Sequence, residues 1–222
     1  MQPNVFLTPS EQVYLNGEKF AQKVRIGNTR LLHNDQDVGL VQLVISILRV
    51  AFFTQEQYRT LRLEVRKKKV LLGLASTDTL YADPVGPMPA WPEGTLEAAL
   101  PPIAQRYYES KQTNDAVNII YAWLGQDSSA PYESVLEKIK WGLVKRNLLQ
   151  VQEERKLKIF VSRKFICPLE TVRLAAQQPI QPIFDLLNFY SQSRPDVWKE
   201  SEEAIRKGVG LRQEKSDNSD FD

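Results

Sequence analysis

The run Val38–Phe53 is the most apolar stretch of the chain and sets the first limit on its fold. It is sixteen residues long and carries Gln42, Ser46 and Arg49, whereas a bilayer-spanning helix needs about 20 largely apolar residues. The run therefore reads as a helix through a protein core, entered at Asp35 or Asp37 as N-cap and ending near Tyr58. A chain of 222 residues, 42% of them apolar, can enclose such a helix. The first twenty residues lack a charged start followed by an apolar run, so no secretory signal is read there. Cys167 is the only cysteine, which rules out an internal disulfide and fits a cytoplasmic setting.

Around that helix the pattern predicts a mainly α fold with small β-hairpins. Thr8-Pro9-Ser10-Glu11 is a helix entry with Pro in the first turn. After the core helix the period changes to two: Leu61, Leu63 and Val65 alternate with Arg62, Glu64 and Arg66, as in a half-buried strand. Lys67-Lys68-Lys69 are then expected at a turn or edge, before Val70-Leu71-Leu72. Ala82–Pro92 holds four prolines and reads as a loop. A helix from Thr95 is expected to be interrupted at Pro101-Pro102 and to resume through Tyr108. Asn114-Asp115 caps another helix, which stops at Gly125.

Pro131 opens the most informative unit. Val135, Ile139, Leu143 and Val144 form one helical stripe. Two apolar strands are expected next, Leu148–Val151 and Leu157–Val161, with Glu153–Lys156 as the turn between them. Helix plus hairpin is a winged-helix-like arrangement. Short helices broken by Pro179, Pro182 and Pro195 follow. One helix-rich domain over 1–207 and a disordered tail over 208–222, where apolar residues thin out, complete the expectation.

Catalytic signals are missing. His33 is the only histidine and lies in a polar connector, so a histidine-based metal site or Ser-His-Asp triad has one candidate and no supporting motif. Cys167, between Ile166 and Pro168, reads as a small buried side chain. Neither G-x-x-x-x-G-K-[ST] nor G-x-G-x-x-G occurs, and Gly208-Val209-Gly210 falls in the expected tail. No enzyme activity and no cofactor are expected.

Charge is the feature left over. The net value is only +2, yet Arg59–Lys69 holds six basic residues against Glu64 alone, and Glu133–Lys164 holds nine against four acidic ones. Asp196–Asp222 leans the other way, eight acidic to five basic. The expected anion-binding surface comprises Arg66, Lys67, Lys68, Lys69, Lys138, Lys145, Arg146, Lys156 and Lys158. Its partner would be an anionic membrane surface, including phospholipid head groups, or an acidic protein; a winged-helix contact with nucleic acid is the alternative.

One resemblance bears on that choice. Ala122-Trp123-Leu124-Gly125, the Pro131 start, Leu143–Leu149 and Ile159-Phe160-Val161, with Leu61–Leu72 upstream, are similar to the central part of the Golgi phosphoprotein family over about residues 38–165. The resemblance implies a helix-rich peripheral membrane protein that binds phosphoinositides. Glu133 and Leu136 stand where that family carries lipid-contacting arginines, and its Gly-Leu-Arg-Gly signature has no counterpart at Gly39-Leu40. The resemblance therefore implies the fold and no lipid-contacting residue.

Overall fold

The computed structural model describes residues 6–70, 75–156 and 160–213; the side chains of 69, 70, 75, 154–156 and 160–162 lie outside the description. Among these residues are eight α-helices and three two-stranded antiparallel sheets. The mainly α fold with small hairpins is as expected.

Helix α1 (Pro9–Leu15) begins at Thr8, whose amide donates to Glu11 Oε2 at 2.9 Å. Strands β1 (Asn28–Arg30) and β2 (Asp37–Gly39) form a small ribbon, which changes how the core helix starts. Asp35 is a turn residue with φ 58° and Asp37 is a ladder residue, so neither caps it. Gly39 takes that place, and α2 runs from Leu40 to Gln57. Twelve consecutive-turn residues of α2, including Phe52 and Phe53, are buried. α2 touches α1 and the later elements β3 (Leu61–Val70), α3 (Leu96–Glu109), α5 (Pro131–Lys145), α7 (Gln181–Ser193) and α8 (Pro195–Gly210). No helix among the described residues is long and apolar enough to cross a membrane.

The lysine run lies inside a strand. β3 pairs with β4 (Ala75–Pro84) over its whole length, with Lys67 opposite Asp78, Lys68 opposite Thr77 and Lys69 opposite Ser76. Of the two expected places for 67–69, a turn or an edge, the edge holds: the sheet has two strands and the lysines are ladder residues of one of them; Leu71-Leu72 lie outside the described residues. β4 also absorbs the first residues of the expected loop, which starts after Pro84.

Helix α3 continues through Pro101 and Pro102 without a break. Pro101 has no N–H for the carbonyl of Glu97 four residues earlier. Gln55 of α2 supplies one instead, its Nε2 donating to Glu97 O at 3.0 Å. A tertiary contact thus satisfies a carbonyl that the proline leaves open.

α4 (Ala116–Leu124) is capped by Asp115, which accepts from Asn118 N at 2.8 Å, and ends at Gly125 with φ 76°. α5 ends where Asn147 takes φ 60° and Leu148 N bonds back to Leu143 O at 2.9 Å. Leu148 and Leu149 are buried here, and β5 starts one residue later, running Gln150–Lys156 against β6 (Phe160–Ile166). Glu153–Lys156, expected as the turn, are ladder residues; Lys156 pairs with Phe160.

α6 (Leu169–Gln177), α7 and α8 follow. The expected disorder from 208 is overturned up to Gln213. α8 extends to Gly210, Val209 is fully buried, and Ser128 N donates to Arg212 O at 2.8 Å. Residues 214–222 lie outside the described residues. One of the two glycines has a packing reason: a Cβ on Gly208 would sit 2.9 Å from Ile120 Cβ and 3.0 Å from Val117 O, so α8 crosses α4 at a distance that only glycine allows, while Gly210 faces open space. Gly208→Val is expected to cost about 1–3 kcal/mol through overpacking, measured by urea denaturation. A change inside about 0.5 kcal/mol, the range of neutral surface substitutions, would show that the helices do not meet there.

Candidate functional site

The nine expected anion-binding residues separate into groups with different fates. On β3 the described basic side chains are paired with carboxylates of the same chain. Arg66 pairs with Asp83 and Glu64 and stacks over Tyr81, with 4.9 Å to the ring centroid. Lys67 reaches Asp78 across the ladder at 2.8 Å, and Lys68 reaches Asp115 at 2.6 Å. Burial alone would raise the Asp83 carboxyl, but the Arg66 and Asn114 hydrogen bonds outweigh it and hold the group below the usual range. Lys67 and Lys68 line a mixed concavity of about 710 Å³ that also holds Asp78, Asp115, Glu200 and Glu203. The side chain of Lys69 lies outside the described residues.

Arg146 is a brace. Its Nη1 donates to Phe6 O at 3.1 Å and its Nη2 pairs with the buried Glu11, fastening α1 to the end of α5. Lys156 is a ladder residue whose side chain is outside the description, and Lys158 lies outside it altogether.

Lys138 and Lys145 differ from all of these. Helical spacing puts Val135, Ile139 and Leu143 on the core side of α5, and Lys138, Trp141 and Lys145 together on another. Neither lysine forms an ion pair among the described residues; Glu133 and Glu137 act on Lys140 instead. Lys138 and Lys145 border a groove of about 490 Å³. Trp123 of α4 closes one end, Trp141 and Ile139 form the α5 wall, and Gly94–Leu96, Ala98 and Ala99 form the opposite wall. Lys138 Nζ lies 5.7 Å from the Trp123 centroid. Trp141 meets Phe165 of β6 edge-on at 5.4 Å, and Arg163 sits 5.7 Å from the Trp141 centroid while also pairing with Glu153. Burial, with Arg212 nearby, holds the Lys138 ammonium below the usual lysine range. The one acidic side chain on the groove is Glu93.

The two walls meet backbone to backbone. Gly94 adopts φ +84°, a left-handed conformation suited to glycine. A Cβ on Gly142 would overlap the Gly94 carbonyl oxygen. Lys145 and Lys138 are thereby held beside the first turn of α3. Trp141 was readable as a partner of the lysines, three residues after Lys138 and four before Lys145. Trp123, Arg163 and Gly94 come to the site only through tertiary packing, and no local pattern marks them.

Nothing in the geometry favours the nucleophile candidates. His33 is half-buried, 3.7 Å from Glu18, where burial lowers its pKa. Burial pushes the Cys167 thiol up to about 11, away from the reactive thiolate. Among the described residues no group of three or more His, Cys, Asp or Glu could hold a metal ion.

No protein-family model, curated protein or solved structure matches the chain.

The glycine contact gives a direct check on the groove. Gly142→Ala must push the 93–95 segment away, at a cost of about 1–3 kcal/mol, and should shift tryptophan emission as the groove walls part. Unchanged emission and stability would mean that α5 and the start of α3 are not in contact.

Proposed function

We propose that the chain is a non-catalytic peripheral binding protein whose basic face meets an anionic phospholipid surface. The carrying observation is the α5 face: Lys138, Trp141 and Lys145 point the same way, with no carboxylate paired to either lysine among the described residues. Lysine beside tryptophan suits a membrane interface, because indole is apolar with a polar N–H and the lysine stem can lie on apolar surface while its ammonium stays wet.

The electrostatics set the strength. Each basic residue near an anionic leaflet contributes about 1 kcal/mol, so Lys138 and Lys145 together supply about 2 kcal/mol, with Arg163 and Lys140 offset by their acidic neighbours. Attachment of that size is reversible and needs a second contact or a partner to persist. The resemblance to the Golgi phosphoprotein family supports the same class of function. It does not extend to the headgroup, since Leu136, at one of that family's arginine positions, is buried in the core.

Winged-helix insertion into a duplex fits less well. The middle of α5 is walled by the 93–99 segment at Gly142, so its outer face cannot enter a major groove without parting that contact.

Co-sedimentation separates the readings. Vesicles of phosphatidylcholine with phosphatidylserine should bind the protein, and phosphatidylcholine alone should not. Lys138→Gln with Lys145→Gln should weaken binding about thirtyfold, the equivalent of about 2 kcal/mol, and added salt should weaken the native protein. Binding to duplex DNA but not to vesicles, or vesicle binding indifferent to both substitutions, would sink the proposal.

A further inference from the structure

Behind the groove wall lies a buried acidic pair that the binding reading does not use. Glu97, in the first turn of α3, is 0% exposed, and Glu11 of α1 is 1% exposed. Ser10 N donates to Glu97 Oε1 at 2.7 Å, and Ser10 Oγ lies 2.8 Å from Glu97 Oε2. Glu11 accepts from Thr8 N and is paired with Arg146. Arg146 spends its other terminal nitrogen on Phe6 O, and its Nε is buried without a partner. Glu97 itself forms no ion pair among the described residues.

The charged groups that face Glu97 are therefore Glu11 from α1 and, through it, Arg146 from α5; α2 presents only the neutral amide of Gln55, to the Glu97 backbone. Two ionised carboxylates against one guanidinium would leave one buried charge uncompensated, which is strongly unfavourable in a dry site. The α3 dipole and the Ser10 amide favour the ionised form, since Glu97 sits at the helix N-terminus. Burial is the larger effect, with repulsion from Glu11 next, and the Glu97 carboxyl is raised. Glu11 is raised too, by burial, though Arg146 opposes it.

We propose that Glu97 is held as the neutral acid and that its ionisation undocks α1, making the Ser10–Glu97 contact a proton-dependent latch. α1 is the element to yield, because it is seven residues long and carries Ser10 and Glu11 with it. The latch stands on α3 and α5, one residue from Leu96 and one from Lys145, both of which line the groove. It does not depend on what the groove binds.

The sign follows from linkage. A carboxyl whose pKa is higher in the docked state stabilises docking fully at low pH, and that stabilisation is lost as pH rises from about 4.5 to the docked value. Hydrogen exchange of the α1 amides, expressed as protection relative to the intrinsic rate at each pH, reads this directly. Protection in the full chain should fall by at least about tenfold per pH unit across that window, one factor of ten from Glu97 and more where Glu11 titrates too, while α2 amides show no such step. In Glu97→Gln, which keeps an acceptor for Ser10 N, the fall in α1 protection should be shallower by about tenfold per pH unit, what remains belonging to the raised Glu11. A flat native profile overturns the latch, whether or not the variant folds. The same slope in Glu97→Gln also overturns it, by assigning the titration to another group.

Discussion

Everything in this fold leans on α2, and the cost of burying a helix on nearly all sides explains much of the surrounding chemistry. An apolar helix can be enclosed cheaply, but α2 carries Arg49, Gln55 and Glu56 into or beside the core. Each is answered by a different neighbour. Arg49 donates to Ser201 Oγ, Trp198 O and Glu202 and lies over the Trp198 ring at 3.9 Å, which fastens α8. Gln55 reaches α3 where a proline has left a carbonyl open. Glu56 accepts from Leu63 N at the start of β3 and pairs with Tyr190 of α7, whose ring stacks on Phe53. Removing one partner of such a contact strands a buried polar group at about 1–3 kcal/mol. The polar side chains of the second half of α2 are therefore points where α8, α3, β3 and α7 attach.

Where local chemistry decides, the sequence was legible; where a distant segment decides, it was not. Pro131 and the Val135-Ile139-Leu143 stripe specify α5, and Asp115 and Gly125 bracket α4 in the structure as they do in the pattern. The misses have one cause. Asp35 and Asp37 had the right chemistry to cap α2, but pairing of 37–39 with 28–30 claimed Asp37 and left Asp35 in the connection between the two strands, bonded to Arg30. The helix runs through Pro101-Pro102, and the Glu97 carbonyl that Pro101 leaves open is met by Gln55, 42 residues before Glu97. The edge position of the lysine run was legible, but its pairing was not, because its counter-charges, Asp78 and Asp115, lie beyond the strand in sequence. Gly208 and Gly210 looked like a tail because the helix that Gly208 packs against, α4, ends more than eighty residues earlier.

Glycine has a second, more consequential use at the groove. Two helices normally keep 8–10 Å between axes because side chains intervene. At Gly142 and Gly94 there are no side chains, so the start of α3 rests on the α5 backbone. That close approach turns a flat helix surface into a cleft, with tryptophans at its edge and lysines at its rim. It also brings Glu97 and Arg146 within reach of α1 on the inner side of the same two helices.

Basic clusters of similar composition thus end with different meanings, and the difference is geometric. On β3 every second residue faces the same side, and the paired strand β4 places Asp78 opposite Lys67 and Asp83 close to Arg66. A ladder brings its own counter-charges into register. On α5 the acidic residues Glu133 and Glu137 fall on a neighbouring face to Lys138 and Lys145, so the helix separates its charges instead of pairing them. The faces of the two tryptophans near these lysines then meet cations, Lys138 over Trp123 and Arg163 over Trp141. Cation–aromatic contacts of this kind are worth about 0.5–1 kcal/mol at exposed sites, too little to neutralise a lysine. They leave its charge unpaired among the described residues while fixing where that charge stands, and in this the α5 face differs from the denser run on β3.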